Sequence, residues 1–370
     1  MKSKILALSK NEEFKNLLKQ KKITNKYVSI FFGKLLNKDK KRLNISFVTK
    51  KKIGIGFGTW AWGNKLVWGY KSETDDILLK KTFFEAIDGG LDLIDSADSY
   101  GTGSLFGQSE KLIGDFLEEL PKRKRKKITI ATKLAPFPWR IGRNGINKAF
   151  QDSNNRLKGN MTRAQLHWST YRYAPWQEEQ LLNGLGDLYE KGLINEIGLS
   201  NTGPKRLNFL FQKLKKREIK ITSIQMQLSL LTKPTLEDEN IKNICAENEI
   251  EYLAYSPLGL GILTIPPNKS HTPKAFLRQR LFQRLLPNTI ELRALLADIG
   301  KKYSASQAQV ALNWVRSHGA KPIVGIRKPI QARDAISALN WSLTQTEKES
   351  LDFCRSKLQV NMPQNPLTSP

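Results

Sequence analysis

Cysteine is scarce in this 370-residue chain: there are two, Cys245 and Cys354, far apart and outside any Cys/His cluster. That spacing excludes a disulfide scaffold and a thiolate zinc site, and it fits a reducing, cytoplasmic setting. No uninterrupted apolar run approaches the ~18 to 20 residues a membrane helix needs, although a hydrophobic share of 39% is enough for a large core. A secretory pattern is missing too, because Lys2, Lys4 and Lys10 are followed by Asn11-Glu12-Glu13 and not by an apolar segment. Nor does a Gly-x-Gly-x-x-Gly turn open a helix after a strand. Gly54-Ile55-Gly56-Phe57-Gly58 comes near it, but the Thr59-Trp60-Ala61-Trp62 that follows is no helix start, which disfavours a Rossmann dinucleotide site.

Positive charge, by contrast, is abundant and unevenly placed. The chain carries a net +27, of which residues 1–52 contribute +13. A basic excess of this kind raises the question of a nucleic-acid partner. Its concentration in one terminal stretch argues instead for two regions with different jobs: a lysine-rich extension over 1–53 and a body over 54–370. The second basic run, Lys122–Lys127, reads as a solvated loop.

From residue 53 on, short β-branched runs alternate with longer amphipathic ones, the pattern of parallel strands joined by helices. Strands are predicted at Ile53–Thr59, Leu91–Asp95, Ile128–Thr132, Ala164–His167, Ile194–Leu199, Thr222–Gln227, Glu251–Tyr255 and Pro322–Ile326. Eight such units in one domain favour a closed (β/α)8 TIM barrel over an open doubly wound sheet. Two long connections, Leu134–Asn144 and Leu258–Pro273, follow strands and so fall on the face where barrel active sites sit.

Asp95, Tyr100, Lys133 and His167 lie at, or just beyond, the C-terminal ends of the second, third and fourth strands, positions that converge in a barrel. Taken singly they have ordinary readings: a helix cap for the Asp, a solvated side chain for the Lys, a satisfied core histidine for the His. Together they make a proton-donating set. A phenol of pKa ~10 is a poor acid at neutral pH, and a nearby ammonium stabilises its phenolate. Lys133 is placed to do this for Tyr100, Asp95 to keep a buried Lys133 charged, and neutral His167 to orient a carbonyl.

The segments Leu93-Ile94-Asp95-Ser96-Ala97-Asp98-Ser99-Tyr100-Gly101, Ala131-Thr132-Lys133-Leu134 and Gln165-Leu166-His167-Trp168 resemble the catalytic motifs of the aldo/keto reductases, and the likeness runs from about Ile55 to about Leu358. It implies a monomeric, NADP-dependent oxidoreductase that reduces aldehydes or ketones. It further implies that Ser200, Asn201 and Gln225 hold the nicotinamide carboxamide and that Tyr255 stacks on its ring. Ser256, Pro257, Leu258 and Gly259 would wrap the pyrophosphate, while Gly325, Arg327, Gln331 and Asp334 would meet the adenosine end, with Arg327 on a 2′-phosphate. Trp60, Trp62, Trp68, Trp139 and Trp168 would line the substrate pocket. An NADP-binding regulatory or sensing barrel without significant turnover is the alternative.

Before this body, Leu8–Lys15, Tyr27–Phe32 and Ile45–Gly54 resemble the start of the bacterial ribonuclease P protein subunit. The basic helix that contacts RNA in that family has no counterpart here, since the chain runs directly into the reductase-like strand. A truncated or chimeric fusion is the preferred reading, a functionless solvated extension the other, and a nucleic-acid partner is not expected. The apolar runs Tyr27–Phe32 and Leu43–Val48 are able to pair as a hairpin.

Overall fold

The computed structural model describes residues 21–24, 28–33, 44–49, 53–103, 106–233 and 235–370, with side chains from residue 53 onward apart from 236–238. Contacts divide the chain into two units, Met1–Ile53 and Gly54–Pro370. In the first, β1 (Lys21–Thr24), β2 (Val28–Gly33) and β3 (Asn44–Thr49) form an antiparallel sheet in that order. The predicted hairpin is β2 with β3, in a register that sets Ile30 opposite Phe47. Leu8–Lys15 lies outside the described residues.

The second unit is the expected barrel. Its strands are β4 (Gly56–Gly58), β5 (Leu93–Ala97), β6 (Thr129–Leu134), β7 (Arg163–Leu166), β8 (Glu196–Ser200), β9 (Ile221–Gln227), β10 (Glu251–Tyr255) and β11 (Lys321–Gly325). All neighbours are parallel, and β11 closes the circle against β4. The helices are α1 (Lys65–Trp68), α2 (Ser72–Asp88), α3 (Gln108–Glu118), α4 (Lys122–Arg125), α5 (Gly142–Arg156), α6 (Pro175–Glu190), α7 (Pro204–Lys215), α8 (Leu236–Asn248), α9 (Phe276–Leu285), α10 (Ile290–Lys302), α11 (Gln307–Ser317), α12 (Pro329–Ser337) and α13 (Gln345–Ser356). The longer ones bury apolar stripes at helical spacing, as α7 does with Leu207, Leu210 and Leu214.

The period-two alternation of strands fills the barrel in layers. At the N-terminal mouth Arg163 bonds Glu196 at 2.6 Å and Glu251 at 3.0 Å, and Lys321 bonds Glu251 at 2.6 Å. Two residues further along β10 and β11, Leu253 and Ile323 join Leu93 and Ala131 in a small apolar layer. The next layer holds Asp95, Lys133, Gln165 and Gln225, all buried. Polar side chains there stand at the C-terminal end of the barrel. Gly198 has no side chain because a Cβ would meet Ser223 Oγ at 2.6 Å and Gln165 Cγ at 2.8 Å, so it leaves Gln165 its place.

Four helices, α1, α4, α9 and α13, differ from the sequence-based expectation. The Lys122–Lys127 run, expected as a loop, contains α4, whose Lys124 pairs with Asp88 at 2.6 Å. α9 follows the Pro-rich connection and buries Phe282 and Leu285. α13 starts at a capping box in which Thr344 and Glu347 satisfy each other's backbone N–H groups. Among the described residues no helix is long and apolar enough to cross a membrane.

Candidate active site

Asp95 lies inside β5, not at its end, so its carboxylate reaches into the barrel axis. Its Oδ2 lies 2.6 Å from Lys133 Nζ, which also donates to Ser96 O at 2.7 Å. Asp95 Oδ1 accepts from Gln225 Nε2 at 2.7 Å and from Gln165 Nε2 at 3.1 Å. Burial would push the lysine pKa down, but Asp95 and Tyr100 outweigh it and hold it above the ordinary value. Lys133 therefore stays a cation in the interior.

That cation lies 5.0 Å from the centre of the Tyr100 ring. Its pull on the phenol is in the expected direction. Burial is the larger effect, however, and Asp95 and Asp98 add to it, so the Tyr100 pKa is raised overall, not lowered as the sequence alone led one to expect. The ring faces His167, centroids 6.0 Å apart and planes at 72°. Burial, then the nearby Lys133, depress the His167 pKa far below the usual imidazole value, leaving a neutral ring with Ser99 Oγ 3.5 Å from Nδ1.

A cavity of about 740 Å³ opens onto these four residues. Ser200, Asn201, Gln225 and Tyr255 form one wall of it. Asn201 takes a left-handed backbone, φ 53°, and its Nδ2 donates to His167 O at 3.1 Å. Tyr255 Oη donates to Asn201 Oδ1 at 2.9 Å, and burial pushes the Tyr255 pKa up to about 12. Gln225 lines the cavity but spends its amide on Asp95, a partner 130 residues away that local pattern does not reveal. Ser256, Pro257 and Leu258 line it as well, whereas Gly259 packs behind them, where a Cβ would come within 2.5 Å of Leu231.

At the far end stand Gly325, Arg327 and Gln331. Arg327 donates to Trp68 O at 2.8 Å and to Asp75 at 3.2 Å, and Gln331 Oε1 caps α12 by accepting from the N–H groups of Arg327 and Lys328. Asp334 does not reach the cavity: it accepts from Ser306 Oγ at 2.7 Å and Gln309 Nε2 at 2.7 Å and ties α12 to α11. Sequence reasoning missed Arg278 on α9. Its guanidinium lies 4.0 Å over the Trp68 ring and donates to Leu260 O at 3.1 Å. Burial, then repulsion from Arg327, bring its pKa down to about 10. Among the described residues Asp75 is the one carboxylate that bonds either arginine, and the buried Arg278 Nε has no partner.

The tryptophans divide. Trp60 and Trp68 line the cavity, edge to face at 5.8 Å. Trp62 lies instead in the core, fully buried, with Nε1 donating to Ile326 O at 2.9 Å. In a continuing strand Trp60 and Trp62 would share a face; the chain turns after β4, with Trp62 N bonded to Thr59 O, and the turn parts them. Trp168 and Trp139 lie outside the cavity wall. Trp168 packs beside His167 at 5.0 Å and donates to Tyr173 Oη, while Trp139 is 72% exposed and stacked on Phe137 at 4.7 Å. The loop after β6 that carries Trp139 is fastened by buried Asp98, which accepts from Ala135 N at 3.1 Å and pairs with Arg140.

The aldo/keto reductase family matches residues 54–356. The chloroplastic pyridoxal reductase of Arabidopsis thaliana is 42% identical over 314 residues, covering 84% of this chain and 85% of that protein. The structure of a glycerol dehydrogenase from Gluconobacter oxydans superposes with a TM-score of 0.68 at 27% identity, over 87% of this chain and 96% of that one. An aldo-keto reductase of Klebsiella pneumoniae in complex with NADPH has the same fold, with a TM-score of 0.62 at 21% identity, over 84% of this chain and 94% of that one. With the match spanning the whole barrel and a relative this similar, the chain belongs to the aldo/keto reductase family of oxidoreductases.

Proposed function

We propose that this protein reduces aldehydes with NADPH, with Tyr100 as the proton donor. The observation that carries the reading is the buried Lys133 ammonium, bonded to Asp95 and poised against Tyr100 beside a neutral His167 at the base of the cavity. In this reading Tyr100 Oη gives its proton to the carbonyl oxygen and Lys133 stabilises the phenolate that remains. His167, neutral, donates a hydrogen bond to the same oxygen and fixes its angle. NADPH, when bound, supplies the hydride.

The residues present fit such a dinucleotide. Ser200 and Asn201 offer side-chain amide and hydroxyl groups for a carboxamide, and Tyr255 offers a flat face. Arg278 and Arg327 face one another with a single carboxylate and an unpartnered buried Nε, an excess of positive charge suited to phosphates. Arg327 supports a preference for NADPH over NADH. Pyridoxal is the first substrate to try. A relative named for that reaction is 42% identical over 314 residues, and the indoles of Trp60 and Trp68 make an aromatic wall for a flat ring.

We further propose a monomer acting in the cytoplasm or an equivalent reducing compartment, in keeping with two free cysteines. Residues 1–53, which precede the family match, are read as a fused or chimeric segment with no nucleic-acid partner. The test is NADPH oxidation followed at the nicotinamide absorbance with pyridoxal and a panel of aromatic aldehydes, wild type beside Tyr100→Phe. Turnover in the wild type, lost about 100-fold or more in the variant while NADPH still binds, supports the reading. Tight NADPH binding without turnover in either protein would replace it with a cofactor-sensing barrel.

A further inference from the structure

The last ten residues return across the barrel to the cavity. Met362 N donates to Leu231 O at 2.8 Å, and Met362, Pro363 and Asn365 line the cavity. Asn365-Pro366-Leu367-Thr368 then makes a turn: Thr368 N bonds Asn365 O at 3.1 Å and Leu367 N bonds Asn365 Oδ1 at 3.0 Å. Asn and Pro at the first two positions favour that turn. It brings Ser369, only 2% exposed, onto the loop after β8, where its N–H donates to Asn201 O at 3.2 Å and its Oγ accepts from Gly203 N at 3.2 Å. The Asn365 side chain meets the Tyr255 hydroxyl.

The tail thus touches both members of the Tyr255–Asn201 hydrogen bond and neither Tyr100 nor Lys133. Asn201 sits in a left-handed conformation, uncommon for non-glycine residues though among the easier ones for asparagine. Its N–H is fixed by Gln225 O, its side chain by Tyr255 and His167 O, and its carbonyl by Ser369. We infer that residues 361–370 are a brace that positions Asn201 and Tyr255 and thereby sets how tightly the nicotinamide cofactor is held. This rests on the nicotinamide-dependent reading above. Asn365 and Ser369 are positioning residues: they act through Asn201 and Tyr255 and leave the proton donor alone.

Gly203 provides a test that keeps the whole chain. Its φ of −74° suits any residue, but a Cβ there would lie 2.3 Å from Ser369 O and 2.6 Å from the Pro370 carbonyl carbon. Gly203→Ala therefore displaces the tail from its seat by a substitution at a residue that does not itself line the cavity. NADPH affinity is measured by fluorescence titration and kcat at saturating NADPH, with wild type, Gly203→Ala and Asn365→Ala. The brace predicts a Kd for NADPH about tenfold higher in both variants, with kcat of Gly203→Ala within about twofold of wild type. Asn365→Gln, which keeps an amide, should recover part of the affinity. Should Gly203→Ala fail to fold, Asn365→Ala carries the test alone. Unchanged affinity overturns the inference, and so does a kcat that falls as far as affinity does, because the tail would then be acting on the whole site. A wild type that does not bind NADPH at all overturns the functional reading itself.

Discussion

Lys133 Nζ and Asp95 Oδ2 lie 2.6 Å apart with side chains 2% and 4% exposed, so each charge depends on the other. Removing one partner of such a pair leaves an uncompensated charge in the interior, at about 3 to 5 kcal/mol. Asp95→Asn keeps the shape and the acceptor for Gln165 and Gln225 but strands the lysine. It should lower the unfolding temperature by roughly 5 °C or more. Adding Lys133→Met to it should restore most of the loss, because an apolar chain of similar length needs no partner. Thermal unfolding of the single and double variants measures this, and an unchanged transition in Asp95→Asn would mean that the pair does not stabilise the fold.

The barrel is legible in the sequence because its strands are short β-branched runs separated by amphipathic ones, and all eight predicted strands overlap observed ones. The convergence of Asp95, Tyr100, Lys133 and His167 is legible for the same reason: once the strands are placed, their ends meet. Other features depend on contacts that local pattern does not encode. Gln165 reads as an ordinary polar strand residue until the register sets it against Asp95, 70 residues away. Arg278 lies in a helix that follows a Pro-rich stretch and was not predicted. The docking of Ser369 on Asn201 joins segments 168 positions apart through backbone atoms, which carry no residue code. Trp60 and Trp62 could not be told apart because the chain turns between them.

Asp98 carries a pH dependence with a definite sign. Burial pushes its carboxyl up to about 6, against the opposing pull of Arg140, while an unfolded aspartate titrates near ~3.9. Since the folded value is the higher, the contribution of this group to stability is full below about pH 4 and is lost as pH rises through about 6, by roughly 3 kcal/mol. Asp98→Asn has no proton to lose there. The unfolding free energy of the variant minus that of the wild type should therefore rise by roughly 3 kcal/mol between about pH 4 and pH 7. Urea denaturation across that range measures it, and a flat difference would show that Asp98 titrates as an ordinary carboxyl.

Arg327 and Arg278 stand at the same end of the cavity but have different neighbours, and the difference separates the two nicotinamide cofactors. Arg327 heads α12 and is held by Trp68 O and Asp75, in the segment whose resemblance implies contact with a 2′-phosphate, a group NADH lacks. Arg278 is bonded to Leu260 O, beside the loop whose resemblance implies contact with the pyrophosphate, which both cofactors share. A charge-assisted contact to a phosphate contributes about 1.5 to 3 kcal/mol. Arg327→Ala should therefore raise the Kd for NADPH by roughly 10- to 100-fold and leave that for NADH within about threefold. Arg278→Met should weaken both by about the same factor, because it removes the charge but keeps an apolar chain against Trp68. Titrating each variant with both cofactors decides between them. Equal losses for the two cofactors in Arg327→Ala would remove the 2′-phosphate contact from the site and, with it, the ground for preferring NADPH.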